Sequence, residues 1–267
     1  MVKGLYTAHT GMVNEMKRLD ILANNLANAD TTAYKKEGTT SRTFADEMSL
    51  RLKDSSNAYL PKKLGEITYG VHLGEVYTDY DSGSFKVTDN TTDFAIDGKG
   101  FFAIAFTDKD GNTSVKYTRD GSFTVNTEGY LVTKDGDYVL NATGAMNGDP
   151  DPRNRIQVDP NATITVNQLG YIFQNDQIVG TLGLVDIDNY DYLEKYGENM
   201  YNLLDGGNRV AADAKIEQGV LETSNVNVIK EMVNMITIQR AYEAGQKVIT
   251  SIDSTLDRAV NNVGRVQ

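Results

Sequence analysis

A pair of apolar heptad tracts, one at each end and enclosing a strand-like centre, constrains this chain more than any other feature. Steps of alternating three and four residues from Leu5 pass through Ala8, Met12, Glu15, Leu19, Leu22, Leu26 and Ala29, apolar everywhere but at Glu15. The same stepping at the back passes through Met235, Ile238, Tyr242, Gly245, Ile249, Ile252, Leu256, Ala259 and Val263, where only Gly245 offers no side chain. Such a repeat is the seam of a coiled coil, and no proline interrupts either tract. Lys17, Arg18, Asp20, Lys230, Glu231, Arg240, Glu243, Lys247, Asp253, Asp257 and Arg258 flank the seams, so each predicted helix is a polar cylinder with one apolar stripe. Each stripe needs a partner, and the two ends are expected to supply one another as a paired stem.

From Gly70 onward the pattern changes to short β-like runs, among them Glu75–Tyr77, Ser84–Val87, Asp93–Ile96, Phe101–Phe106, Ser114–Tyr117, Ser122–Val125, Tyr130–Val132 and Tyr138–Leu140. Asp110-Gly111, Asp120-Gly121, Glu128-Gly129 and Asp135-Gly136 punctuate them at hairpin spacing. The expected fold is therefore α+β: N- and C-terminal helices paired as a coiled-coil-like stem, with an inserted all-β body of barrel or sandwich type. The expected division is residues 1–34 and 220–267 for the discontinuous stem, 35–70 for an extended connector and 71–219 for the β-rich body. Within the connector a short helix is expected near Phe44 to Leu52, followed by polar Asp54-Ser-Ser-Asn57 before Pro61. The first helix should stop at Asn28 to Asp30, and Asn225 or Asn227 can cap the returning one.

Charge divides along the same lines. Residues 1–64 carry ten basic and seven acidic side chains, 65–219 carry eleven and twenty-five, and the last 48 carry five of each. An acidic centre argues against nucleic acid, whose phosphates demand cations. Near-neutral ends can crowd together, and an acidic body is better tolerated facing solvent. No run reaches the roughly eighteen apolar residues of a membrane span, and the start lacks the apolar core of a cleaved secretion signal. Cysteine is absent, which excludes disulfides and thiolate metal sites.

Little in the chain suggests catalysis. Asp108-Lys-Asp-Gly-Asn112 lacks the spaced oxygens and closing Glu of a calcium loop and reads as a turn. Gly98-Lys-Gly100 precedes a strand, not a helix N-terminus, so no row of free N–H groups awaits a phosphate. His9 and His72 are the only histidines, too few for a zinc cluster. Acid pairs such as Asp135 with Asp137 or Asp186 with Asp188 arise by chance in so acidic a body. Neither a catalytic group, a cofactor nor a metal is expected. Asn24, Asn25 and Asn28 are the polar residues that stand out: buried between helices they could fix register across subunits, and exposed they would be a solvated face with a terminal cap.

The block Leu22-Ala-Asn-Asn-Leu-Ala-Asn-Ala-Asp-Thr-Thr-Ala-Tyr-Lys-Lys36 closely resembles the N-terminal motif of the bacterial flagellar rod and hook family. Asp93-Phe-Ala-Ile-Asp-Gly-Lys-Gly-Phe-Phe102 and Tyr117-Thr-Arg-Asp-Gly-Ser-Phe123 are similar to its β-domain signatures. Gly219-Val-Leu-Glu-Thr-Ser-Asn-Val-Asn227, Glu231-Met-Val-Asn-Met-Ile236 and Gln239-Arg-Ala-Tyr-Glu243 are similar to its C-terminal one. Two positions depart from the pattern: Ala33 stands where Gly is usual, which would alter the turn leaving the helix, and Gly245 stands where Asn is common, which would weaken one step of the seam. The resemblance implies a subunit of the basal-body rod, a hollow helical polymer that carries torque to the hook and encloses the export channel. It implies export by the flagellar type III apparatus without a cleaved signal, contact with other rod proteins and hook protein, and access to ring subunits. Overall length and the modest connector at residues 44–71 look most like the distal rod protein, with a proximal rod subunit as the alternative.

The expected subunit interface comprises Leu5, Ala8, Met12, Leu19, Leu22, Asn24, Asn25, Leu26 and Asn28 in front, with Met235, Ile238, Tyr242, Ile249, Ile252 and Leu256 at the back. A rival from another class is a binding module whose β body recognises a ring or cell-wall partner while the helices merely dimerise.

Overall fold

The front heptad tract becomes a helix over Val2–Ala27 in a computed structural model that describes residues 2–45, 47–51, 62–197 and 199–263. The back tract becomes a helix over Val228–Arg258, started by Asn227, whose side-chain oxygen accepts from the Lys230 N–H at 3.0 Å. That carboxamide satisfies one of the N–H groups that a helix start leaves open. The helix widens into a π turn at Ala259–Val263, so the last two positions of the predicted seam leave the regular spiral.

Two units form, each from separate stretches of chain. One takes Met1–Ala27, Glu37–Asp79 and Asn227–Gln267; the other takes Asn28–Lys36 and Tyr80–Val226.

In the first unit the two helices pack on one another and a β ribbon lies on the front helix. The ribbon pairs Glu37–Thr43 with Val71–Thr78 in antiparallel register, from Glu37 opposite Thr78 to Thr43 opposite Val71, with a bulge between Thr39 and Ser41. Thr10 Oγ1 donates to the Tyr69 carbonyl at 3.2 Å, and Asn14, only 3% exposed, donates to Ser41 Oγ at 3.1 Å. Gly70 permits this approach, because a Cβ there would stand 2.0 Å from Thr10 Oγ1.

Residues 35–70 are thus more than an extended connector. The helix expected near Phe44 to Leu52 is instead a strand, Glu47–Arg51, paired antiparallel with Lys62–Ile67. The Thr-rich run Thr39-Thr40-Ser41-Arg42-Thr43 leads into it in extended form, and Phe44 is fixed by its N–H to the Gly70 carbonyl and its ring on His72, 4.8 Å between centroids. Cross-strand pairing overrides the local helix propensity of the segment that follows. Asp54-Ser-Ser-Asn57 and Pro61 lie outside the described residues.

The second unit is β-rich. Its largest sheet runs in the order Leu193–Tyr196, Met200–Leu203, Thr113–Thr118, Phe101–Thr107, Tyr138–Val139, Leu131–Val132, Thr124–Val125, with Leu184–Ile187 joining the central strand Phe101–Thr107 and pairing with Arg209–Ala211. The path does not return on itself, so no closed barrel forms among the described strands. The sequence Phe-Phe-Ala-Ile-Ala is buried throughout at Phe101–Ala105, with neither face left to water, as an uninterrupted apolar run requires. Phe102 packs with Phe94, Ile96, Phe123, Leu131, Val139 and Ile172 on one side; Phe101, Ala103 and Ala105 pack with Tyr117, Val185, Ile187 and Tyr201 on the other. Three of the four expected glycine turns occur with φ positive at Gly111, Gly129 and Gly136. Gly121 is different: a Cβ there would lie 1.8 Å from the Phe94 carbonyl oxygen, so its job is close approach of two backbones.

Candidate assembly interface

The helices of the first unit run antiparallel. A Cβ built on Gly4 would lie 3.9 Å from Ile252 Cδ1, and one on Gly245 would lie 2.6 Å from Met12 Cγ. Advancing eight residues along one helix therefore retreats seven along the other. On the back helix the predicted seam is the covered face: Ile238 is buried at 4% exposure, and Met235, Tyr242, Gly245, Ile249 and Ile252 are part-buried. On the front helix Ala8, Met12, Leu19, Leu22 and Leu26 are part-buried. Leu5 and Leu256 are exposed. Leu256 lies about one turn beyond Ile252, which stands beside Gly4 in the first turn of the front helix.

Gly245 is not the weak step that its lack of a side chain suggests. It is the hole into which Met12 fits, the knob-in-hole contact of a seam made with the smallest possible floor.

The asparagines separate. Asn25 is 1% exposed, and its carboxamide closes a two-way pair with the backbone of Glu37, donating to the carbonyl at 2.8 Å and accepting from the N–H at 2.9 Å. It does for Glu37 what a neighbouring strand would do, within the chain itself. Asn28 is part-buried and accepts from Thr31 Oγ1 at 3.2 Å in the turn that ends the helix, while Asn24 lies on the exposed side.

A second apolar stripe went unnoticed in the sequence. Val228, Ile229, Met232, Val233 and Ile236 are all exposed, Ile229 at 76% and Val233 at 57%, and four of them stand at i, i+3, i+4 and i+7. The spacing was legible, but it runs beside the heptad seam and shares its first residues with a stretch already counted as flank. A helix with covered and uncovered apolar stripes side by side presents a surface that water covers at a cost and another helix could cover with gain.

The second unit contains an unforeseen ionic cluster. Lys35 and Glu222, with fully buried side chains, pair at 2.7 Å, and Arg119, 2% exposed, reaches the other Glu222 oxygen at 3.4 Å. Glu222 also accepts from the Gly83 N–H at 2.9 Å, and Arg119 donates to the Gly98 carbonyl at 2.9 Å. These residues fall in the N-terminal, β and C-terminal blocks noted in the sequence, which are far apart in the chain. Nearby, Ala33 holds φ at 56°, a left-handed value costing an alanine roughly 1–2 kcal/mol, while its N–H donates to the Glu222 carbonyl at 2.8 Å. The turn leaving the helix is thus made through a left-handed alanine, under strain.

Among the described residues, Tyr190, Asp137 and Lys116 have displaced pKa values. Burial, together with a hydrogen bond to Asp186, pushes Tyr190 up to about 12; burial raises Asp137 and lowers Lys116. Asp120, Ser122, Thr133, Lys134, Asp135 and Asn199 line a polar groove of about 450 Å³. Among the described residues no group of three His, Cys, Asp or Glu could hold a metal, and no helix is long and apolar enough to cross a membrane.

Comparison with known proteins gives three family matches in order along the chain: flagella basal body rod protein over residues 5–35, flagellar hook protein FlgE/F/G D1 domain over 95–174, and flagellar basal body rod FlgEFG protein C-terminal over 217–262. The flagellar basal-body rod protein FlgF of Caulobacter vibrioides is 34% identical, covering 100% of both chains. The flagellar basal-body rod protein FlgG of Bacillus subtilis is 31% identical over 98% of this chain and 99% of its own. The flagellar hook-basal body complex protein FlhO of the same organism is 29% identical over 100% of each.

Proposed function

This chain belongs to the flagellar basal-body rod and hook protein family, and from that premise we propose that it is a rod subunit that polymerises through its terminal helices. Its role is structural, not catalytic, and its place is the flagellar basal body. The observation that carries the polymerisation reading is the uncovered stripe Ile229, Met232, Val233 and Ile236 alongside a seam already filled by the front helix. One side of the back helix is satisfied within the chain and the other awaits neighbours, so the helix pair is a coiled-coil-like stem completed by copies or close relatives. Two apolar layers on either face of the central strand support a sandwich-like description of the β body.

Identical subunits repeating head to tail form an open helix instead of a closed ring, which suits a hollow shaft carrying torque to the hook around an export channel. Export by the flagellar type III apparatus, contact with other rod proteins and hook protein, and a position in the distal section belong to the same proposal. A proximal position is the alternative, and imaging basal bodies with this subunit labelled distinguishes the two.

The test is Leu22→Asp or Ile252→Asp, each placing a carboxylate in the covered seam. The expected result is a soluble protein with a folded β unit that fails to enter rods; normal motility in either variant would sink the reading. A closed dimer in place of concentration-dependent filaments would favour a binding module.

A further inference from the structure

Three threads of backbone meet in the second unit, and every stretch of that unit begins or ends at one of them. They are Ala33–Lys36, Asp81–Ser84 and Glu222–Asn225, while the unit itself spans Asn28–Lys36 and Tyr80–Val226. Lys35 Nζ ties the first thread to the other two at once, donating to the Asp81 carbonyl at 2.8 Å and to Glu222 Oε1 at 2.7 Å. Asn225 does the same without charge: its oxygen accepts from the Lys36 N–H at 2.8 Å and its amide donates to the Asp81 carbonyl at 3.1 Å. The Thr223 N–H donates to the Ser84 carbonyl at 2.8 Å, and at Gly83 a Cβ would stand 1.9 Å from the Thr223 carbonyl oxygen, so the second and third threads touch backbone to backbone.

Desolvation makes a buried ion pair weak evidence for stability, since apolar residues of similar volume often serve as well. What a buried pair supplies and apolar packing does not is direction: Lys35 Nζ reaches two acceptors, the Asp81 carbonyl and Glu222 Oε1, which lie on different threads. We propose that Lys35, Glu222 and Asn225 form a clamp that binds the three threads to one another, so that force applied to any thread is shared by all three and passed on through Arg119. Lys35 and Asn225 are then positioning residues. The clamp rests on the rod reading only for the purpose it serves, because its cooperativity is a property of the isolated chain.

Hydrogen exchange on the full-length protein tests it. The amides of Ala33, Lys36, Gly83, Thr223 and Asn225 are expected to exchange as one group. Glu222→Gln should speed all five together by at least about 100-fold, leaving Ala103 in the central strand unchanged. Acceleration confined to Gly83, the amide that bonds the altered carboxylate, would overturn the clamp. Should Glu222→Gln fail to fold, Asn225→Ala decides: a common acceleration of about tenfold upholds the clamp, and an effect on Lys36 alone overturns it. The mechanical claim is read by pulling between cysteines introduced at exposed Asp30 and Ser82, the chain having none of its own. The expected rupture force falls in Asn225→Ala, and an unchanged force would contradict load sharing. Loss of motility is not scored, so failure of the clamp and failure of the rod role remain separate outcomes.

Discussion

The two units treat apolar surface in opposite ways. In the β unit the run Phe101–Ala105 is at most 1% exposed, its side chains alternating between two separate packed layers. In the helical unit a tract of comparable apolar content leaves Ile229, Val233 and Ile236 at least half exposed. Both segments obey their local period, two for a strand and 3.6 for a helix. The difference is closure: a sheet covered on both faces finishes its own burial, whereas a pair of helices covers one stripe of each and leaves the remaining circumference to whatever surrounds it. One unit buries its own apolar run, and the other leaves an apolar stripe facing water.

The contrast is most severely strained by Phe102→Ala, which removes a ring from the larger core layer. A loss of about 3–5 kcal/mol is expected in denaturant unfolding followed by tyrosine fluorescence, which the absence of tryptophan leaves unmasked. A loss below about 1 kcal/mol would mean that the β unit is not closed in the sense argued, because a well-packed site cannot release a ring so cheaply. Next in size is Gly245→Asn, expected to cost the helix pair about 1–3 kcal/mol by overpacking against Met12. It should appear as faster amide exchange in both helices with the β unit untouched, and Met12→Ala in the same chain should reverse it. The smallest effect is expected from Ile229→Ser, within about 0.5 kcal/mol for the isolated chain because the side chain has little burial to lose. The same substitution should slow self-association in sedimentation. If it instead destabilised the isolated chain, the stripe would not be a free surface and the contrast between the units would fail.

The seam was readable because helical covering follows periodicity: the back-helix residues picked by threes and fours from Met235 to Ile252 are those the front helix covers. Strand existence in the second unit was equally visible at Phe101–Thr107 and Thr113–Thr118, where apolar runs are bounded by turn residues. The segment after Phe44 misled because Ala, Glu, Met and Leu favour a helix in isolation, and the strand that overrules them comes later in the chain. Asn25 misled in another way: its position on a helix suggested a lateral partner, while the actual partner is the backbone of Glu37 after the chain has turned. Lys35 with Glu222 had no local signal at all, being 187 residues apart, and only the family-like blocks around them marked the place.

The helices Val2–Ala27 and Val228–Arg258 belong to the same unit, which makes the β body an insertion between two paired seams. Its contour can therefore grow, shrink or acquire extra hairpins without shifting any Met12-to-Gly245 contact by a single residue. An insertion of that kind separates length from register: the β unit can be remodelled while the pairing of the two helices stays constant.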